Sequence, residues 1–386
     1  MAFISQQETS ASKPLVWVSE QGLDECLVDA LTQVVDRGAQ SLMILSCSAN
    51  NHSATYLEPV LQSCKILVCG GIFPSIFFAD TKLDNGFIIV GFPFEISVTS
   101  YPLNELPVIE TAVRQLGDTE AGHSRDLLIF IDAMANATEP FINGLYEAIG
   151  GGIDVIGGGA GSIDFIQRPC VFSRAGLLMN TALVVQLPVP MRCAVDHGWE
   201  ILSGPYLVTE AESTKIKTLN YFPAYDLYRD LIEGSTDYNF SEHNFFQVSQ
   251  NFPFGILGIN DDILVRDPIQ VDKNALLCVG SVPVNSMVYV LSGNAENIIR
   301  AAENAGTAVG AGVENAVDSS MGLTIVFDCV SRVLYLGDRF SQEMAAIQRG
   351  LGAGRMIVGA LSIGEIANTS RGTINLLNKS IVIGNL

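Results

Sequence analysis

The chain has 386 residues, of which 48% are hydrophobic and 16% charged, a composition typical of a folded protein large enough for two domains. It contains 41 acidic and 21 basic side chains, and the net charge of −20 argues against binding to nucleic acids or to anionic membranes. The first residues lack the apolar segment of a signal peptide, and the longest apolar stretch, 66–79, is interrupted by glycine and proline. We therefore expect a cytoplasmic protein with no membrane-spanning segment.

Strands and helices are predicted to alternate along the first half of the chain. Residues 15–19 and 42–47 have the pattern of strands, and the leucines and valines between them recur at helical spacing. This strand–helix–strand order is typical of a partly parallel sheet. The further elements predicted in this half are strands at 66–69, 87–92 and 127–131, helices at 108–116 and 138–149, and a hairpin over 171–187.

The pattern of residue types changes near residue 220. A helix is predicted at 223–231, followed by a loop rich in aromatic and polar residues. The remaining predicted elements are strands at 254–258, 276–279, 287–291, 323–328, 357–361 and 380–383, and helices at 295–316 and 341–350. We predict an α/β fold of two domains, 1–221 and 222–386, with mixed β-sheets flanked by helices.

Five residues, Gly157 to Gly161, form a glycine-rich cluster after a predicted strand. A dinucleotide-binding fingerprint requires its glycines to open a helix, whereas a hairpin is predicted here, so phosphate binding is disfavoured. Two interpretations remain. The lack of side chains lets another element or a small ligand approach the backbone closely, or the amides of Gly158, Gly159 and Gly161 form a ligand site.

Two acidic residues are further candidates for ligand contact. Asp132 ends a predicted strand, and ligands of open α/β sheets gather at the carboxyl ends of strands. Glu365 lies in a Gly-Glu pair and can accept a bond from a ligand amine. The alternative for both residues is capping of a turn.

Histidines are few, and His243 stands among aromatic residues that include Phe245 and Phe246. His197 lies between Asp196 and Trp199, whereas His52 and His123 have the setting of surface loops. An aromatic cluster with one imidazole can hold haem b, with His243 as the first candidate for the iron ligand and His197 as the second. The alternative is an aromatic core with a histidine at its rim.

Enzyme motifs are not evident. The sequence has neither a GxSxG nucleophile elbow nor an HExxH zinc motif, and it suggests no nucleophile–base pair. We therefore predict that the protein is not an enzyme.

Six ordered motifs resemble the FIST family, whose members pair a FIST N with a FIST C sensory domain. Together they extend over most of the chain. The motifs are Ile156 to Gly161, His197 to Ala211, Phe222 to Tyr228, Phe327 to Arg332, Gly359 to Glu365, and Asn378 to Ser380.

The resemblance implies a small-ligand sensor that acts in trans on a signalling partner, with a FIST N-like domain in 1–221 and a FIST C-like domain in 222–386. One branch of the family binds haem, senses nitric oxide and works with a sensor histidine kinase. The Cys69 to Pro74 stretch departs from the common family pattern and is similar to that branch. The resemblance therefore favours a haem-binding nitric oxide sensor, with a sensor of an amino acid or related metabolite as the alternative. A homodimer is also expected from the high apolar content.

Overall fold

The computed structural model describes residues 2–4, 13–104, 126–258, 263–310, 321–369 and 372–386. The helix predicted at 108–116 and His123 lie outside these ranges. The strands are β1 (Ala2–Ile4), β2 (Leu15–Ser19), β3 (Ser41–Cys47), β4 (Leu67–Phe73), β5 (Ser75–Phe78), β6 (Thr81–Leu83), β7 (Phe87–Phe92), β8 (Ser97–Pro102), β9 (Leu127–Asp132), β10 (Val155–Ala160), β11 (Val171–Ser173), β12 (Gly176–Leu178), β13 (Thr181–Gln186), β14 (Arg192–Asp196), β15 (Glu200–Glu212), β16 (Lys215–Leu219), β17 (Phe222–Pro223), β18 (Phe254–Leu257), β19 (Ile263–Asp272), β20 (Ala275–Val279), β21 (Met287–Ser292), β22 (Leu323–Cys329), β23 (Met356–Ser362), β24 (Glu365–Asn368), β25 (Ile374–Leu377) and β26 (Ile381–Asn385). The helices are α1 (Asp24–Asp36), α2 (Ala54–Ser63), α3 (Thr138–Ile149), α4 (Ala224–Ser235), α5 (Phe245–Ser249), α6 (Ala295–Gly310), α7 (Val330–Leu336) and α8 (Phe340–Leu351).

The predicted α/β class with mixed sheets and flanking helices is confirmed. Helix α1 forms because Leu27, Leu31 and Val34 recur on one face, and all three side chains are buried. Gly38 follows the helix with a φ of 98°, in the left-handed region that ends many helices. Strand β3 is buried at every residue, as expected for a strand with a neighbour on each side and covered faces.

Three segments of the chain repeat one topology, and we call them units 1, 2 and 3. In each unit a strand is followed by a parallel strand, then by a hairpin that leaves the sheet, and finally by a strand antiparallel to the first. The strands of the units in this order are β3, β4, β5, β6 and β7, then β9, β10, β11, β12 and β13, then β22, β23, β24, β25 and β26.

The hairpin of each unit completes the sheet of another unit. Strand β5 of unit 1 pairs with β23 of unit 3, β11 of unit 2 pairs with β4 of unit 1, and β24 of unit 3 pairs with β10 of unit 2. Three sheets therefore surround a common core. There the rings of Phe73, Phe130 and Phe327 contact one another at centroid distances of 5.9, 6.0 and 6.4 Å.

A barrel is inserted into the chain between β14 and helix α6. Its strands pair in the order β15, β21, β18, β19, β20 and β16, and β16 pairs back with β15, so the ring of strands closes. The division predicted near residue 222 falls between β16 and α4. Strands from both sides of that position share the barrel and two of the three sheets, and the division into two domains stays a prediction.

None of the helices among the described residues is long and apolar enough to cross a membrane.

Candidate functional site

A cleft of about 600 Å³ opens where the parallel strands of units 1 and 2 end. This edge of a sheet is where α/β folds bind ligands, because the loops that leave parallel strands diverge there. We call it the strand-end cleft. Residues that line it include His52, Ile72, Asp132, Gly161, Asp164 and Arg168.

Asp132 lies in the wall of this cleft and is only 1% exposed. Its Oδ1 accepts a hydrogen bond from the amide of Met134 at 2.9 Å. Its Oδ2 accepts bonds from the Asn180 amide at 2.7 Å and from Gln167 Nε2 at 3.0 Å. Asp132 therefore ties the loop after β10 to the strand end, and its role as a ligand contact stays a prediction.

The predicted glycine residues lie in and after β10, beneath the cleft. The Gly159 amide donates to the Gly364 carbonyl and the Gly161 amide to the Ile72 carbonyl, both at 2.8 Å. A Cβ atom on Gly158 would lie 2.4 Å from the Phe327 ring, so glycine is required for the sheets to approach. Because the amides of Gly159 and Gly161 already have acceptors, these glycines contribute close packing to the structure, and their ligand role is untested.

Ser46, His52 and Asp24 form a hydrogen-bonded chain that the sequence did not reveal. His52 Nδ1 lies 2.5 Å from Asp24 Oδ1, and Nε2 lies 2.7 Å from Ser46 Oγ, the order of contacts that activates a serine nucleophile. Ser46 is fully buried, however, and its Oγ also accepts a bond from Asn50 at 2.8 Å. The Ser46 hydroxyl is therefore not presented to the cleft, and the three side chains fasten the loop that lines it. Burial also lowers the pKa of His52, which favours the neutral imidazole.

A buried ionic cluster, defined by Asp328, Arg332, Glu343 and Glu365, lies at the end of β22. The side chains of all four residues are 0% exposed. Arg332 pairs with Glu343, and its Nε lies 3.1 Å from Asp328 Oδ1 without the alignment of a hydrogen bond. Burial and the neighbouring Glu343 carboxyl raise the pKa of Asp328 well above its usual range. The cluster is a set of ionisable groups shut off from solvent, and each member depends on the others.

Glu365 belongs to this cluster and does not line the strand-end cleft. Its Oε1 accepts a bond from Ser362 Oγ at 2.7 Å, and Oε2 accepts one from the Ser380 amide at 3.4 Å. Burial raises its pKa to about 8. Asp132 and Glu365, predicted to bind the same ligand, thus lie in different surroundings.

Lys379 links the ionic cluster to the barrel. Its Nζ donates to the Gln250 carbonyl at 3.0 Å and lies 3.2 Å from Asp267 Oδ2 and 4.9 Å from the Trp199 ring. Arg332 also donates to the Lys379 carbonyl, at 3.3 Å. Lys379 therefore joins the barrel to the three-unit core, and Arg332 holds the Lys379 backbone and the segment at His197 that leads into the barrel.

Family models match most of the chain: the FIST N domain over residues 41–221 and the FIST C domain over residues 224–368. The chain belongs to the FIST family. FIST domains are sensory domains that bind small ligands. No curated protein matches the chain.

The FIST motifs that are far apart in the sequence converge at the ionic cluster. Arg332 donates to the His197 carbonyl, and Trp199 Nε1 donates to the Lys379 carbonyl at 3.2 Å. The motifs around residues 197, 328, 365 and 379 therefore meet in a single buried network. His197 Nδ1 accepts a bond from the Trp199 amide at 2.9 Å, and burial lowers its pKa.

The residues predicted to hold haem divide between two places in this FIST protein. Trp199 packs against Tyr335, at a ring distance of 5.2 Å, in a core cluster separate from that of Phe245. Phe245 stacks on Phe240 with centroids 5.8 Å apart. Because these rings already fill the aromatic cluster, its interior does not fit a haem.

His243 lies on the outside of that cluster. Its side chain is exposed, its ring is 6.4 Å from Tyr238, and it makes no hydrogen bond within the described parts of the chain. Phe246 is 37% exposed on the same short segment. The free imidazole is a possible ligand only for a group bound at the surface.

Proposed function

We propose that this FIST protein senses an amino acid or related carboxylate metabolite in the strand-end cleft and reports it to a signalling partner. One observation carries the proposal: an arginine, Arg168, stands at a cleft large enough for a small metabolite. The described residues that line the cleft combine polar groups with apolar side chains such as Ile72 and Ile166. Such a lining suits a small molecule with a charged end and an apolar body.

Arg168 is available to a ligand because its present partner is weakly held. It pairs with Asp164 at 2.8 Å, and the two side chains are 49% and 42% exposed. Exposed pairs of this kind contribute about 0–1 kcal/mol, since water and salt screen them. A ligand carboxylate can replace Asp164 and make two parallel hydrogen bonds to the guanidinium.

The loop over 161–169 supplies a route from the ligand to a partner. Its Ile163, Phe165 and Ile166 are each more than half exposed, and Gln167 ties the loop to Asp132. A ligand that draws Arg168 away from Asp164 changes how these apolar side chains are presented. We infer that the partner, a sensor histidine kinase or another signalling protein, reads this loop.

A thermal-shift screen of amino acids and related carboxylates tests the cleft. We expect at least one compound to raise the melting temperature, because a ligand of the folded state stabilises it. Arg168→Gln should weaken that ligand about tenfold or more, the effect of losing a charge-assisted contact. Arg174→Gln, at an exposed arginine outside the cleft lining, is the matched control. Equal affinity in the two variants, or no stabilising compound at all, would contradict the proposal.

A second candidate function is nitric oxide sensing through haem b, with His243 as the iron ligand. Its support is the exposed imidazole of His243, since the ring nitrogens of His52 and one of His197 are already engaged. Haem supplies an iron that binds nitric oxide. The group would lie outside the aromatic cluster, against Tyr238 and Phe246.

Absorption spectra after reconstitution with haem decide between the two candidates. The haem candidate predicts a Soret band in the wild-type protein that His243→Ala removes and His197→Ala retains. An absent band would eliminate the haem candidate and leave the metabolite sensor, whereas the same spectrum and affinity in His243→Ala would eliminate His243 as the iron ligand.

A further inference from the structure

A second cavity lies at the amino ends of β22 and β23. Its volume is about 590 Å³, and the turn between β5 and β6 of unit 1 closes one side of it. It belongs to a different pair of strands from the strand-end cleft, and no residue lines both.

The charged residues in the described lining of this cavity are all positive. Arg355 and Lys13 line it, and no aspartate or glutamate is among its described lining residues, although the chain has 41 acidic side chains. Within the described ranges, neither cation forms an ion pair. Two cations that have no ion-pair partner among the described residues favour the entry of an anion into the cavity beside them.

The Arg355 guanidinium is held in place by a second layer of polar groups. Its Nη1 donates to Asn385 Oδ1 at 3.0 Å, and Thr324 Oγ1 donates to the same oxygen at 3.2 Å. Asn385 is itself 6% exposed. One edge of the guanidinium is therefore fixed by the protein, which leaves its other N–H groups for a ligand.

We propose that this cavity is a binding site for a small oxyanion, the phosphate or carboxylate group of a small molecule. Arg355 makes the oriented contact, Lys13 adds charge at the rim, and Gln348 supplies a further polar group. Phe78 and Met356 provide apolar walls for the rest of the molecule. The site is additional to the proposed metabolite sensor and does not depend on it.

Isothermal titration of inorganic phosphate and of citrate into the full chain tests the site, at constant ionic strength with chloride as the reference anion. We expect saturable binding of at least one of the two anions. Arg355→Gln should weaken it about tenfold or more, and Lys13→Gln should weaken it less because Lys13 is exposed. Arg174→Gln, which removes a cation that is not among the cavity's lining residues, should leave the affinity unchanged. Absence of saturable binding, or equal weakening in Arg174→Gln, would overturn the proposal.

A measurement on the wild-type protein covers the case in which Arg355→Gln does not fold. Hydrogen exchange should slow in residues 352–357 when the bound anion is added and should not change in the cleft loop 161–169. Unchanged exchange in 352–357, or protection confined to 161–169, would show that the anion binds elsewhere. Either result would contradict the proposed oxyanion site and leave the metabolite proposal unaffected.

Discussion

Arg332→Met is expected to lower the free energy of unfolding by about 3–5 kcal/mol near neutral pH, the usual cost of removing one partner from a buried ion pair. The substitution leaves Asp328 and Glu343 fully buried without their cation. It also removes donors to the carbonyls of His197 and Lys379. Urea unfolding at equilibrium measures the change.

The control for this variant is Arg339→Met, which breaks an exposed pair with Glu296 and should cost less than about 1 kcal/mol. Adding Asp328→Asn and Glu343→Gln to Arg332→Met should recover part of the loss, because no ionisable carboxyl is then left buried without its cation. A cost for Arg332→Met no larger than that of Arg339→Met would show that the ionic cluster does not hold the barrel on the core.

Glu365→Gln is expected to remove a pH dependence of stability between about pH 5 and pH 8. In the folded protein the pKa of Glu365 is about 8, against a usual value of 4.5, so the folded state holds a proton that the unfolded chain has released. Stability from this carboxyl is complete below the unfolded pKa and is lost as the pH rises through the folded pKa. The difference between wild type and variant should therefore shift by about 3–4 kcal/mol across this range, since each unit of pKa difference is worth about 1.4 kcal/mol.

Glutamine suits this test because it keeps the acceptor for Ser362 Oγ and has nearly the same shape. Unfolding free energies at four or five pH values, for wild type, Glu365→Gln and the surface variant Glu303→Gln, isolate the effect. Parallel curves for wild type and Glu365→Gln would show that Glu365 is ionised in the folded protein, contrary to this expectation.

The buried ionic cluster also gives the FIST motifs a structural meaning. Their polar residues do not line the strand-end cleft. Lys379 joins the barrel to the three sheets, and Arg332 holds the segment at His197 that leads into the barrel. A signal that moves the barrel relative to the core must disturb this network. Ligand binding and stability are therefore expected to be separable by mutation, the first at Arg168 and the second at Arg332.

Local elements were predictable because their patterns are local. The repeat of Leu27, Leu31 and Val34 indicated a helix, and the buried run of β3 indicated a strand inside a sheet. Asp132 was singled out as a strand-end residue, and it does line the cleft. Arg168 was missed, although its position four residues after Asp164 in a predicted connection was a visible signal.

Other features depend on contacts between distant segments, and a single sequence does not show which distant segments meet. Ser46, His52 and Asp24 meet because helix α1 and the loop after β3 pack on the same end of a strand, and no spacing rule links them. The exchange of hairpins between units likewise brings β5 to β23 across most of the chain. The aromatic residues near His243 have a composition that suits either a haem pocket or a core, and only the observed ring contacts distinguish the two.

The sequence by itself determined the α/β class, the acidic and apolar character of the chain and, through its motifs, the FIST resemblance. Those properties follow from composition, from periodicities of a few residues and from ordered short motifs. The tertiary structure decided which charged residues are buried together, which are free to meet a ligand, and where two cavities open. The reason is physical: the energy of a charge depends on its burial and its partners, and both are set by segments distant in the sequence.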